Sequence, residues 1–171
     1  MCPPFQPSIC IIDDQIPYAK DDTIIPGKIL NSSNLNLLIS KIQWDEPELF
    51  ALVQKLISDN KYEINAFSRT ELFVNYFDEN GYRADIIILD WDTGTPSPES
   101  DLLALLSVTN SYIAIYTRKD KQAAIEATIA GQSFRQYQNR VKIFYKDDDK
   151  SWEIILAHVG TEYSTRFSLL F

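Results

Sequence analysis

The sequence predicts one doubly wound α/β domain, in which helices cover both faces of a parallel sheet. Short apolar segments alternate five times with helical patterns along the chain, which is typical of this class. The apolar segments also lack the in–out alternation of a half-exposed sheet, as strands covered on both faces require. The length of 171 residues suits a single domain over residues 1–171, and a hydrophobic content of 45% supplies a sizeable core.

The first strand is predicted over residues 8–14, where a run of isoleucine and cysteine ends on two aspartates. The next pattern is a helix over residues 45–60. Asp45 is its expected N-cap, because Glu48 follows at the spacing of a capping box. Its apolar residues recur at helical spacing. They are Leu49, Leu52, Val53 and Leu56.

A second strand is predicted over residues 62–67 and a helix over residues 68–81. Ser68 and Glu71 form another expected capping box at the start of this helix. Gly81 is the expected C-cap, because glycine tolerates the left-handed backbone found there.

The third strand is predicted over residues 85–90, the most apolar segment of the chain. The helix after it, residues 97–110, has Ser97 as N-cap and Pro98 at the first helical position. The fourth strand is predicted over residues 112–117.

A helix over residues 120–131 is expected to begin at Asp120 as N-cap and to end at Gly131. The fifth strand is predicted over residues 141–146, and a last helix over residues 151–171. The apolar stripe of that helix comprises Trp152, Ile155, Leu156, Val159, Tyr163 and Phe167.

Residues 15–44 form an insertion, because they exceed what ordinary loops and helices need after the first strand. Within them, TIIPGKIL (23–30) predicts a small hairpin that turns at Pro26-Gly27. LNLLISKI (35–42) predicts a short helix or strand. The insertion is either a surface segment that packs on itself or a partner-binding or lid element beside a site.

Charge and composition narrow the classes of function. The net charge of -8 argues against nucleic acid or an anionic membrane as the main partner. Cys2 and Cys10 make no disulfide framework, and we see neither a signal peptide nor a membrane span, so a cytoplasmic protein is expected. Because His158 is the only histidine, we expect any metal to be bound by oxygen and to be Mg²⁺-like.

Polar side chains follow four of the predicted strands, at the edge of the sheet where open α/β proteins bind ligands. They are Asp13, Asp14, Asp90, Asp92, Thr117 and Lys146. Two carboxylates 4 Å apart repel by about 4 kcal/mol at an effective dielectric of 20, and a divalent cation relieves that repulsion. A carboxylate can also accept a phosphoryl group as an acyl phosphate, while metal and lysine bear its charge.

Four motifs occur in the order and on the strands of a known family. They are IIDD (11–14), IIILDWD (86–92), IAIYT (113–117) and FYK (144–146). On these motifs the chain resembles the receiver domain of two-component response regulators, the CheY-like family, over residues 8–14 and roughly 45–160. The resemblance implies a flavodoxin-like fold with five parallel strands in the order 2-1-3-4-5.

The resemblance also implies a role for each matched residue. Asp90 matches the phosphoacceptor, and Asp13 and Asp14 match the acidic pair that binds Mg²⁺. Thr117 matches the hydroxyl that contacts the phosphoryl group, and Lys146 the family's lysine. The implied protein is a self-phosphorylating acceptor rather than a turnover enzyme. Its partner would be a histidine kinase or a phosphotransfer protein, and it would regulate a partner or a fused effector.

Four positions depart from the family pattern. Asp92 stands where the family uses a backbone carbonyl as metal ligand, and we keep its side chain among the candidate ligands. Arg118 replaces a small residue after the threonine, and Asp147 replaces the proline after the lysine. Ile143 occupies the position of the family's aromatic switch.

Three other interpretations stay open. A pseudo-receiver would keep the fold as a phosphorylation-independent interaction module. A phosphohydrolase of the haloacid dehalogenase type would use DWDTGT (90–95) as its nucleophile loop. The carboxylates could also simply cap strands. The apolar end RFSLLF (166–171) is a candidate dimer surface, and the resemblance to receivers, which commonly pair through their last helix, implies a homodimer formed through that helix.

Overall fold

The structure is a computed structural model that describes residues 7–16, 30–31, 33, 35–36, 46–81, 83–91, 93 and 96–168, with the backbone alone at position 30 and at 163–168. It confirms the predicted fold class. A central parallel sheet is covered by helices on both faces. Within these ranges, no helix is both long and apolar enough to cross a membrane.

The five predicted strands form a parallel sheet in the predicted order. In chain order they are β1 (Ser8–Ile12), β2 (Glu63–Phe67), β3 (Ile86–Leu89), β4 (Tyr112–Thr117) and β5 (Val141–Tyr145). The order across the sheet is β2-β1-β3-β4-β5. A short strand, Leu30–Asn31, adds antiparallel to the outer side of β2, with Leu30 opposite Ala66.

The predicted helices are also present, with shorter bounds. They are α1 (Pro47–Asp59), α2 (Thr70–Asn80), α3 (Pro98–Val108), α4 (Gln122–Ile129) and α5 (Ser151–Ser168). Two 3-10 segments, Lys119–Lys121 and Gln132–Arg140, flank α4. The helices α1 and α5 pack on one face of the sheet, and α2, α3 and α4 on the other.

Alternate residues of each strand supply the two cores. Ile9 and Ile11 point towards α1 and α5, whereas Cys10 and Ile12 point towards the opposite helices. All of them are fully buried, so both faces of β1 are apolar. This explains why the strands appear in the sequence as continuous apolar runs.

The apolar stripes of the first and last helices are confirmed where the structure describes them. The four stripe residues of α1 are fully buried. In α5, Ile155 and Val159 are buried, and Trp152 and Leu156 pack against the same core while partly exposed. The side chains of Tyr163 and Phe167 and all of residues 169–171 lie outside the described residues.

Both predicted capping boxes are wrong. Residue Glu46 takes the N-cap position of α1 with no side-chain cap, and Asp45 lies outside the described residues. The helix α2 begins only at Thr70, so Arg69 rather than Ser68 precedes it, again with no side-chain cap. The predicted Ser97 cap is confirmed, because its hydroxyl accepts a hydrogen bond from the Ser100 amide at 3.3 Å.

Of the predictions for two other helix ends, one is confirmed and one is wrong. Gly81 is the predicted C-cap of α2, and its φ of 66° lies in the left-handed region. The limits predicted for α4 are wrong. Asp120 lies inside the preceding 3-10 turn. The helix ends at Ile129 with Ala130 as its C-cap, while Gly131 has an ordinary φ of -69°.

The insertion contributes to the domain at two described places. Its Leu30–Asn31 strand extends the sheet, and Leu35 is fully buried in the core beneath α1 and α5. Leu35 and Asn36 are helical. The predicted turn at Pro26-Gly27 and residues 37–42 lie outside the described residues.

Candidate functional site

The polar residues after the strands gather at one edge of the sheet because the backbone ladder continues past each strand. The Asp90 amide donates to the Ile12 carbonyl at 2.8 Å, and the Lys146 amide donates to the Thr117 carbonyl at 2.7 Å. Parallel strands in register therefore bring their carboxyl ends to the same edge, as in other open α/β sheets.

Three of the four predicted metal ligands lie together. One carboxylate oxygen from each of Asp13, Asp14 and Asp90 falls within 4.8 Å of the others, with Asp13 and Asp90 buried and Asp14 half-buried. The Gln15 amide fixes Asp13 by donating to Oδ1 at 2.8 Å. The fourth candidate, Asp92, lies outside the described residues.

The two other predicted site residues lie beside the carboxylates. The buried Thr117 hydroxyl hydrogen-bonds the Asp90 carboxyl group. Lys146 is 2% exposed, and its ammonium donates to Asp13 Oδ2 at 2.8 Å and to Glu46 Oε2 at 2.7 Å. Lys146 also interacts with Asp90 electrostatically. One buried ammonium group therefore interacts with the carboxyl groups of Asp13, Glu46 and Asp90.

Burial and mutual repulsion shift the ionisation of these groups. Burial first, and repulsion from Asp13 second, raise the pKa of Asp90 to about 8, although Lys146 and Thr117 oppose the shift. Burial likewise raises the pKa of Asp13 to about 6, against the stabilising effect of Lys146. Burial would lower the pKa of Lys146, but Asp13 and Asp90 outweigh it and hold that pKa above its ordinary value. The environment therefore favours the protonated form of Asp90 and of Asp13 and the charged form of Lys146.

Sequence reasoning missed Glu46. It is buried, it immediately precedes α1, and its carboxylate binds Lys146 as closely as Asp13 does. A signal existed, because a helix that follows a parallel strand begins at the edge where that strand ends. Acidic residues at the start of α1 therefore belong to the same edge, and the insertion obscured this by separating Glu46 from β1.

Two of the residues that depart from the family pattern pair with each other. Arg118 Nη1 lies 2.9 Å from Asp147 Oδ1, and its Nε lies 3.7 Å from Glu46. Asp147 also accepts from the Lys119 amide at 3.0 Å. Ile143, which the resemblance aligns with the aromatic switch of receivers, is partly buried against the core beneath α2, α3 and α4.

Several of these residues line a small polar cavity of about 180 Å³. Its acidic lining comes from Glu46, Asp90 and Asp120, and its basic lining from Arg118, Lys121 and Lys146. The Thr117 hydroxyl also lines it, so acidic, basic and hydroxyl groups meet in one small space. Such a lining suits a small charged ligand better than an apolar one.

No family model and no curated protein matches the chain. Among solved structures, a similar chain is a fusion of the yeast Spc42 trimeric coiled coil, amino acids 181–211, to another structure. It is 15% identical, and the alignment covers 97% of this chain and 90% of that chain with a TM-score of 0.49. This likeness carries no argument about the site.

Proposed function

We propose that this chain is a receiver-like domain that accepts a phosphoryl group on Asp90 with the help of Mg²⁺. The observation that carries the proposal is the convergence of Asp13, Asp14 and Asp90, whose oxygens lie within 4.8 Å, beside Thr117 and Lys146. Chance capping of strands explains any one of these residues, but it does not account for three carboxylates, a hydroxyl and a lysine in close proximity.

The donor atoms fit a hard divalent cation. Three carboxylates offer oxygen ligands at close range, which is what Mg²⁺ takes, usually keeping several waters. Asp13, Asp14 and Asp90 would hold the ion. Burial and repulsion from Asp13 both raise the pKa of Asp90, and a cation held by the trio would oppose both effects. A bound Mg²⁺ would supply the charge that keeps Asp90 ionised and neutralises the transferring group.

Each residue of the site would have its own role in the phosphoryl transfer. A carboxylate oxygen of Asp90 forms a bond to phosphorus, and the bond from phosphorus to the donor breaks with its electron pair leaving on the donor. The Thr117 hydroxyl lies where it can donate to a phosphoryl oxygen, and Lys146 adds positive charge. The product is an acyl phosphate on Asp90.

The corresponding partner is a histidine kinase or a phosphotransfer protein, and the expected compartment is the cytoplasm. The acidic net charge of -8 favours a protein partner over nucleic acid. The domain would act by single phosphorylation, regulating a partner or a fused effector, rather than by turnover.

Mass spectrometry after incubation with acetyl phosphate and Mg²⁺ tests the proposal. We expect one phosphoryl group on the wild type and none on Asp90→Asn, which keeps the shape of the side chain but removes the nucleophilic charge. Asp78→Asn makes the same change at an exposed position of α2 and should label like the wild type. Labelling that persists in Asp90→Asn would contradict the proposal, and continuous release of phosphate from a phosphomonoester would favour a hydrolase instead.

A second candidate is the pseudo-receiver, an interaction module that is never phosphorylated. The observation that favours it is the pairing of Lys146 with Asp13 and Glu46, which already satisfies the cation in the absence of a phosphoryl group. This candidate predicts Mg²⁺ binding without labelling by acetyl phosphate.

A further inference from the structure

Glu46 lies between Lys146 and Arg118, two of the three basic residues that line the cavity beside Asp90. Its Oε2 accepts from Lys146 Nζ at 2.7 Å, and its Oε1 lies 3.7 Å from Arg118 Nε. Arg118 is tied on its other side to Asp147, so the pair spans the cavity from α1 to the segments after β4 and β5. The Glu46 carboxylate thus pairs with two cations in a cavity that is also lined by Asp90 and Thr117.

The balance of charge at the site explains why the position of Glu46 matters for binding of a phosphoryl group. Lys146 and a bound divalent cation would together balance the three clustered aspartates, whereas Glu46 shares Arg118 with Glu48 and Asp147. Converting Asp90 to its acyl phosphate adds about one negative charge, because the phosphoryl group carries close to two. Glu46 is the described carboxylate beside Lys146 that we do not place among the metal ligands, so its departure restores the balance.

We propose that Glu46 sets the affinity of the Asp90 site for a phosphoryl group, because its carboxylate competes with that group for Lys146 and Arg118. The inference rests on the proposed function. A phosphoryl group that enters the cavity takes over Lys146 and Arg118, and Glu46 moves away from them. Since Glu46 directly precedes Pro47, the first residue of α1, its displacement alters the start of that helix.

Titration with beryllium fluoride in the presence of Mg²⁺ tests the competition, since this anion mimics a phosphoryl group on a carboxylate without a covalent transfer. The emission of Trp91, which is buried and adjacent to Asp90, can report binding. We expect Glu46→Gln, which keeps the hydrogen-bond acceptor and removes the charge, to bind the anion about tenfold more tightly. Glu63→Gln makes the same change at an exposed position on the opposite edge of the sheet and should bind like the wild type.

Labelling by acetyl phosphate separates failure of this inference from failure of the proposed function. If the wild type is labelled and Glu46→Gln binds the anion no more tightly than Glu63→Gln, the competition is refuted and the acceptor role stands. If neither the wild type nor Glu46→Gln is labelled, the acceptor role fails and the inference fails with it.

The wild-type protein offers a measurement that does not depend on a variant folding. A crystal structure with beryllium fluoride and Mg²⁺ should show the Glu46 carboxylate beyond the ion-pair limit of about 4 Å from Lys146. A contact that keeps its length of 2.7 Å in that complex would overturn the proposal.

Discussion

Replacing Asp90 by asparagine should stabilise the metal-free protein at neutral pH. Asp90 is 8% exposed, and burial with repulsion from Asp13 raises its pKa from 3.8 to about 8. The folded protein therefore binds a proton at Asp90 more tightly than the unfolded chain does. Between these two values the unfolded chain loses the proton and the folded protein keeps it, so stability falls as pH rises from about 4 to about 8.

The expected gain in the free energy of unfolding follows from the pKa shift of Asp90 and from the volume and hydrogen bonding that asparagine retains. One pKa unit corresponds to about 1.4 kcal/mol, so the buried carboxyl group costs several kcal/mol at pH 7.5 before any relaxation. Asparagine has nearly the same volume and can still accept a hydrogen bond from Thr117. After allowing for relaxation around the site, we expect a gain on the order of 3 kcal/mol, which corresponds to roughly 6–12 °C in Tm for a chain of this size.

Thermal and urea unfolding in EDTA, from pH 4.5 to pH 8.5, measures the effect. The difference between the wild type and Asp90→Asn isolates Asp90 from other titrating groups, and it should grow with pH. Asp78→Asn, at an exposed site, should follow the wild type. A variant that is less stable than the wild type at pH 7.5, or a difference that is independent of pH, would refute the reasoning.

At pH 7, binding of Mg²⁺ should release close to one proton per site, because the pKa of Asp90 near 8 keeps that group largely protonated until the ion binds. Calorimetry in two buffers of different ionisation enthalpy would measure the number of protons released. A measured release of zero would contradict the prediction. Lys146→Met should cost about 3–5 kcal/mol in urea unfolding, because it leaves two buried carboxylates without their cation. Gly81→Ala should cost about 1 kcal/mol, since its φ of 66° is strained for alanine, whereas Gly160→Ala inside α5 should cost nothing or add stability.

The sequence predicts the sheet well because both of its faces are covered. Each strand must then be apolar throughout, and that demand is visible at consecutive positions, as in Ile86–Leu89. The positions of Asp13, Asp90, Thr117 and Lys146 follow from the same sheet, because the residue that ends a parallel strand must lie at the shared edge. The fold, and the end of the sheet at which the polar residues gather, can therefore both be predicted from local sequence patterns.

Helix ends and side-chain partners were harder to predict because they depend on tertiary contacts. Ser68 and Glu71 have the spacing of a capping box, but Arg69 has an extended backbone and the helix begins only at Thr70, so the serine is not at the N-cap. The position of Glu46 at the start of α1 was the one clue to its role, and the insertion obscured it. Its partner Lys146 is 100 residues away, and only the assembled sheet and the start of α1 bring the two together.

Burial and repulsion from Asp13 favour a proton on Asp90, and such a proton is incompatible with nucleophilic attack by the same group. A divalent cation held by Asp13, Asp14 and Asp90 would displace that proton and reduce the repulsion between the carboxylates. Lys146 cannot do this alone, because two of its three N–H donors are already bound by Asp13 and Glu46. Metal binding and readiness of Asp90 to accept a phosphoryl group are therefore one equilibrium in the proposed mechanism, and a variant that weakens Mg²⁺ binding should slow labelling in proportion at low Mg²⁺.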